Sequence, residues 1–362
     1  MQFFLRGAAL AAGILVAAGS VAVAQDQNPA EIARFYAGMP VPEDSAVGKF
    51  TKDPAWKNYS KAFDQSWERI DAKQLTKVRA WTAANVKGAK DTLYYFFGGP
   101  DFLYANLFYP NAKTYIQVGL EPVGPIPTVD ARTVHFLPAV RAALEHSLNL
   151  SFFITQDMNS RLRGQTVKGA LPLLYVYLAR AGAEIKEVSL FQLDPEGKEH
   201  EEKDFKGRRL ASGVKIVFTK DGSERTLYYF STDLSNGGVA ASGLLKWAEK
   251  FGQGNALFKS ASYLPHGGQF STVRDFVLKH ADVIVQDDTG VPIRYFKEDE
   301  WALSPFGVYI GPIPIFGMGP ESAAVKLWHQ KNKPPKLDFG IGYRNRIVDS
   351  NLLFATRKEK KN

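Results

Sequence analysis

The chain of 362 residues contains no cysteine. That excludes disulfides, thiolate metal sites, a cysteine nucleophile and a lipid anchor on a cysteine behind a leader. The strings that mark many active sites are also missing: there is no G-x-S-x-G, no S-x-x-K with partner motifs, no H-E-x-x-H and no P-loop. Of the six histidines, His135, His146, His200, His280 and His329 show no metal-ligand spacing, so zinc is not expected. Basic residues are not interleaved with aromatics in one stretch, which sets nucleic acid aside. Beyond the N-terminus no apolar run approaches the length that crosses a bilayer.

What is present begins with residues 1–24. Arg6, the small apolar stretch Gly7 to Ala24 and the ending Ala22-Val23-Ala24 predict a cleavable signal peptide, hence a periplasmic or secreted protein with no transmembrane segment. A mature chain without disulfides depends on a large apolar core. The net charge is +8, and loss of Arg6 leaves +7. Much of the excess lies around Lys331, Lys333 and Lys336 and in Arg357 to Lys361. Residues 346–362 read as a solvated basic tail, with weak attraction to an anionic envelope surface as the other reading.

Two helix starts are written in the same grammar, Asn28-Pro29 and Asp53-Pro54, each an N-cap followed by proline at the first helical position. Trp56, Tyr59, Phe63, Trp67 and Ile70 recur at helical spacing, so residues 25–85 are expected to form a helical cap. From Thr92 the pattern becomes strand (to Phe97), glycine turn, helix (Phe102 to Phe108) and strand (Lys113 to Leu120), the building block of a parallel sheet. Helices around Pro138 to Leu148 and Gly169 to Ala181 and strands at Leu150 to Ile154 and Glu187 to Leu193 complete a first lobe over 86–200. The second lobe, 201–345, opens with strands Gly213 to Thr219 and Arg225 to Phe230 around Asp221-Gly222, a hairpin signal. Helices at Gly243 to Phe251 and Ser271 to His280 follow, with strands at Phe258 to Leu264, Asp282 to Gln286, and late ones near Tyr295 and Gly307 to Ile310. The expected class is α/β, a Rossmann-like mixed or parallel sheet with covering helices. One string is repeated letter for letter, Thr92 to Phe96 at Thr226 to Phe230, which fits convergent strand composition better than a tandem duplication.

Ligands of open α/β sheets bind outside the carboxyl ends of strands. Four loops qualify, holding Gly98, Gly99 and Asp101; Glu121; Asp233, Ser235 and Asn236; and Asp287 with Asp288. The first two mimic a dinucleotide-binding unit, since Glu121 follows the glycine turn by about twenty residues, where a ribose-binding acid belongs. Against it, G-x-G-x-x-G is absent, Asp101 reads as an N-cap that repels a pyrophosphate, and NAD and S-adenosylmethionine are cytoplasmic metabolites. No organic cofactor is therefore expected. A second constellation joins Asp233, Asp287, Asp288 and His266, with Ser262, Ser271 and Arg274 close in sequence: paired carboxylates and an imidazole suit acid/base chemistry or a hard cation such as Mg²⁺ or Ca²⁺. The same residues also make good turns, and that alternative stays open.

The strings Gly99 to Ala105 (GPDFLYA), Gly119 to Gly124 (GLEPVG), Tyr229 to Asn236 (YFSTDLSN) and Gln286 to Phe296 (QDDTGVPIRYF) resemble those of a group of exported bacterial proteins to which no activity is attached. The resemblance implies a periplasmic setting and carries over no catalytic residue. The expectation is a protein that binds a small polar ligand, a sugar or envelope fragment, at the carboxyl edge of its sheet. The competing expectations are a hydrolase or lyase built on the Asp/His cluster and an envelope interaction protein.

Overall fold

Asp221 and Gly222 have φ of 50° and 73°, the left-handed pair that a two-residue hairpin turn demands. They join β5 (Ala211–Lys220) to β6 (Ser223–Ser231), closed by the pair Lys220 and Ser223. This hairpin enters one ten-stranded mixed sheet with β1 (Thr92–Tyr95), β2 (Thr114–Gly119), β3 (Glu184–Leu193), β4 (Glu199–Glu201), β7 (Gly254–Phe258), β8 (Ala281–Gln286), β9 (Trp301–Gly307) and β10 (Asn351–Arg357). The order across the sheet is β4-β3-β5-β6-β2-β1-β7-β8-β10-β9. This computed structural model describes residues 27–150, 169–201 and 211–359. The expected signal peptide, the strand expected beyond Leu150 and the chain between Glu201 and Ala211 lie outside those residues.

The five central strands β6-β2-β1-β7-β8 are parallel, and antiparallel strands extend both sides. Alternate residues of the strands feed two apolar layers. Leu93, Tyr95, Tyr115, Leu227, Tyr229 and Leu257 pack beneath α1 (Pro29–Tyr36), α2 (Pro54–Ile70), α3 (Thr76–Asn85), α4 (Phe102–Phe108), α5 (Leu137–Leu150) and α6 (Leu171–Arg180). Tyr94, Phe96, Ile116, Val118 and Phe230 face α7 (Asn236–Ser242), α8 (Leu244–Ala248), α9 (Ser271–His280) and α10 (Ser322–Trp328). This is an α/β fold with helices on both faces of the sheet. Asn28 and Asp53 cap α1 and α2 through their side chains, with Pro29 and Pro54 at the first turn. Among the described residues no helix is long and apolar enough to cross a membrane.

Several sequence expectations are corrected. The basic tail does not begin at 346: Asn351 to Arg357 form β10, inserted between β8 and β9 with seven residue pairs to β9. Leu352, Leu353 and Ala355 are buried there, so apolar burial outweighs the neighbouring charge. The strand expected at Phe258 to Leu264 lies earlier, at Gly254 to Phe258. The late strand expected at Gly307 to Ile310 is β9, ending at Gly307, and its Pro305 is tolerated because β9 is an edge strand. The two expected lobes share the one sheet.

Candidate functional site

In the central sheet β1 crosses to β2 on one side through α4, whereas β7 crosses to β8 on the other through α9. Loops leaving β1 and β7 therefore part in opposite directions, and a crevice opens between their carboxyl ends. A cavity of about 630 Å³ lies there. Its walls are Phe97, Gly98 and Gly99 after β1, Gly119 to Glu121 after β2, Thr232 to Leu234 after β6 and Lys259 to Ser262 after β7, with Leu264, Phe270, Ile315, Phe316 and Tyr343 completing them. Phe97, Ser260, Ser262 and Tyr263 all hold positive φ of 53° to 64°. Non-glycine residues avoid that region unless the surroundings impose it, and such strain gathers at functional sites.

The loop after β1 is shaped by its glycines. A Cβ on Gly98 would lie 2.3 Å from the Tyr95 ring, and Gly99 has φ +60° with its N–H on the Val118 carbonyl at 2.9 Å. Asp101 then caps α4 by accepting from the Tyr104 N–H at 3.2 Å. Its other oxygen accepts from the Tyr95 hydroxyl at 2.9 Å and from Lys259 Nζ at 2.8 Å, both ionic side chains being no more than 2 % exposed. The Lys259 ammonium also lies 4.2 Å from the centre of the Tyr104 ring. Burial first, and then the Asp101 charge, push the Tyr95 hydroxyl well above its ordinary range, so it stays a donor.

Glu121 is buried at the end of β2 in a cradle made by two glycines. A Cβ on Gly119 would come within 2.3 Å of Glu121 Oε2, and one on Gly99 within 3.2 Å of it. The Tyr229 hydroxyl donates to the Glu121 carbonyl at 2.8 Å and lies 3.3 Å from Oε2. At the end of β6 the exposed Asp233 carboxylate accepts from the N–H and Oγ of Ser235, and Ser235 Oγ caps α7 at Gly238. Asn236 donates to the Gly268 carbonyl and Ser271 Oγ and accepts from the Thr272 N–H, so it staples two loops together.

Asp287 and Asp288 follow β8 and anchor the rim from behind. Asp287 accepts from the N–H of Ser260 at 2.8 Å and from the N–H of Thr289 at 2.9 Å. A Cβ on Gly342 would meet Asp287 Oδ2 at 2.5 Å. Asp288 accepts from the Tyr263 hydroxyl at 2.6 Å, with Arg344 3.8 Å away. Desolvation, then the adjacent Asp288 charge, raise the Asp287 carboxyl to about 6, and burial raises Asp288 too. His266 packs edge-on against Tyr263, and burial aided by Arg294 and Arg274 lowers it to about 4. It is neutral at ordinary pH and a weak proton acceptor. Arg274 lies 3.8 Å from the Tyr295 ring centre and donates to the Pro265 carbonyl, a structural placement. Among the described residues no group of three or more His, Asp or Glu is arranged to hold a metal ion.

Of the residues singled out in the sequence, Gly98, Gly99, Glu121 and Asp233 line the cavity. Asp101 and Asp287 reach it through Lys259 and Ser260. Asp288, His266, Ser235, Asn236 and Arg274 hold loops around it. Sequence reading missed Lys259, Ser260 and Tyr343. It gave no hydrogen-bonding role to Tyr95 and Tyr229, although the repeated Thr-Leu-Tyr-Tyr-Phe string carries both. No family model, no curated protein and no solved structure matches the chain.

Proposed function

We propose that the protein binds a small unphosphorylated ligand that joins a sugar ring with adjacent hydroxyls to an apolar body, a nucleoside or glycoside fragment, in the cleft between β1 and β7. The observation that carries this reading is the placement of Glu121. Its carboxylate is held at the end of the second parallel strand beside the Gly99 turn, where doubly wound sheets keep the acid that accepts from sugar hydroxyls. The aromatic and aliphatic walls, Phe97, Leu264, Phe270 and Phe316, supply a surface for the apolar part.

Charge narrows the class further. The α4 N-terminus, where a dinucleotide would rest its pyrophosphate, is filled by the Asp101 carboxylate. Glu121 and Asp233 add negative charge, and Lys259 is engaged by Asp101. A neutral or cationic ligand fits, and a phosphate meets repulsion. Export, if the leader is cleaved as its sequence predicts, brings the chain to sugars and nucleosides rather than to NAD. The hydrolase alternative is less favoured, because Asp287 and Asp288 are spent on backbone N–H and tyrosine partners and His266 is a weak base.

Thermal shift and calorimetry with adenosine, 2′,3′-dideoxyadenosine, AMP and simple glycosides test this. Adenosine or a glycoside is expected to bind, the dideoxy compound at least about tenfold more weakly, as for a lost hydrogen bond to a charged acceptor, and AMP more weakly than adenosine. Glu121→Gln should weaken the diol compound selectively. Equal binding of adenosine and its dideoxy analogue, or binding by none of the panel, would overturn the reading.

A further inference from the structure

We infer that loops 308–318 and 343–350 form a face that docks on an anionic lipid surface. The two loops are bonded side by side: the Val308 N–H donates to the Ser350 carbonyl at 2.8 Å, Arg344 donates to the Gly311 carbonyl, and the Phe316 and Tyr343 rings are 5.4 Å apart. Together they expose Val308, Ile310, Ile315, Met318, Ile347 and Val348, with Ile315 84 % and Val348 75 % accessible. Single exposed aliphatics are ordinary, whereas six on two joined loops form the kind of surface that marks a contact site.

The partner is argued from charge and side-chain type. Residues 308–350 carry six Lys and Arg against three Asp and Glu. Lys331, Lys333, Lys336 and Arg346 are exposed, and Arg346 is the one of these four that pairs with an acid, Asp349. A second copy of this face would set like charges opposite one another in a two-fold contact. Protein interfaces are anchored by Trp, Tyr and Arg in shaped pockets, but this set is Val, Ile and Met on irregular loops. Exposed branched aliphatics on a stretch of chain with a net positive charge suit the headgroup and acyl boundary of an anionic bilayer, which requires no shape fit. Ile315 and Phe316 also line the cavity, so docking would set the cleft mouth at the lipid surface.

The processed chain, purified after export, is sedimented with vesicles of phosphatidylglycerol and phosphatidylcholine or of phosphatidylcholine alone. Binding is expected on the anionic vesicles, several-fold weaker at high salt and on the neutral ones. The double variant I315S/V348S should lose at least about tenfold in binding, with an unchanged circular dichroism spectrum because both side chains are exposed. K331E/K333E should weaken binding at low salt only. The inference is overturned if the wild type stays in solution with anionic vesicles, if I315S/V348S binds as the wild type does, or if sedimentation velocity shows a dimer that this double variant dissolves.

Discussion

Tyr95 and Tyr229 stand in the same register on either side of β2, both opposite Gln117, and each hydroxyl faces a buried carboxylate, Asp101 for one and Glu121 for the other. The repeated Thr-Leu-Tyr-Tyr-Phe string thus flanks one strand symmetrically: Thr92 and Thr226 both pair with Thr114, and Leu93 and Leu227 both pair with Tyr115. Strand order, rather than duplication along the chain, gives the repeat its meaning. Each tyrosine fixes one of the two acids that shape the cleft.

Removing these hydroxyls should separate the two acids. Tyr229→Phe removes the hydroxyl that bonds the Glu121 carbonyl and lies beside its carboxylate, and is expected to cost about 1–3 kcal/mol of stability and to weaken the diol ligand. Tyr95→Phe should cost a similar amount while leaving ligand affinity within about twofold, because Lys259 still holds Asp101. Urea unfolding and calorimetry read both, and equal affinity loss in the two variants would refute the division of roles.

The Asp101–Lys259 pair makes a sharper stability prediction, since both ends are buried. Lys259→Met alone strands a buried carboxylate and should cost about 3–5 kcal/mol. Asp101→Asn keeps a good helix cap and so isolates the charge. The double variant should recover a large part of the Lys259→Met loss, because the stranded carboxylate is gone. A double-mutant cycle by urea unfolding measures this, and strict additivity would mean that the two groups do not interact.

The aspartate pair after β8 predicts a pH dependence. The folded carboxyl of Asp287 titrates near 6 instead of 3.8, so between those values the native state holds a proton that the unfolded chain has released. Stability from this site is present at low pH and is lost as pH rises through that window, on the order of 2–3 kcal/mol. Asp287→Asn cannot ionise. The stability of the wild type relative to the variant should therefore fall between about pH 4 and pH 7, with His266 contributing equally to both. Parallel profiles for the two proteins would refute this account.

What the sequence made legible was local. Asn28-Pro29, Asp53-Pro54 and Asp221-Gly222 act through their own backbone, and the β1-α4-β2 unit is continuous in the chain. β7 was misplaced because Gly254-Asn255-Ala256 has little strand character of its own. It pairs with β1 and β8, and the Asn255 amide donates to the carbonyls of Lys90 and Thr92. That displacement hid the loop after β7, and with it Lys259 and Ser260. The glycine turn, Glu121 and Asp233 were visible because their strands had been found. Their convergence, and the bond from Asp287 to Ser260, are tertiary facts.

Gly119 gives the most local test of the cleft. Its position admits no side chain, since a Cβ there would lie 2.3 Å from Glu121 Oε2, 2.8 Å from the Tyr229 hydroxyl and 2.8 Å from Gly99 Cα. Two of those neighbours are side-chain ends, but the third is backbone, so Gly119→Ala must part the loops after β1 and β2 or turn the Glu121 carboxylate out of its cradle. Either movement should cost about 1–3 kcal/mol, as overpacking does, and lower diol-ligand affinity at least about tenfold if the acid is displaced. Gly237 is the matched control: it lies in the first turn of α7 with nothing within 4 Å of an added Cβ and no positive φ. Gly237→Ala should be neutral or stabilise slightly by helix propensity. Urea unfolding with calorimetry on both variants decides the matter. A Gly119→Ala protein that binds the diol compound as the wild type does would show that the cradle around Glu121 is not what orders the site.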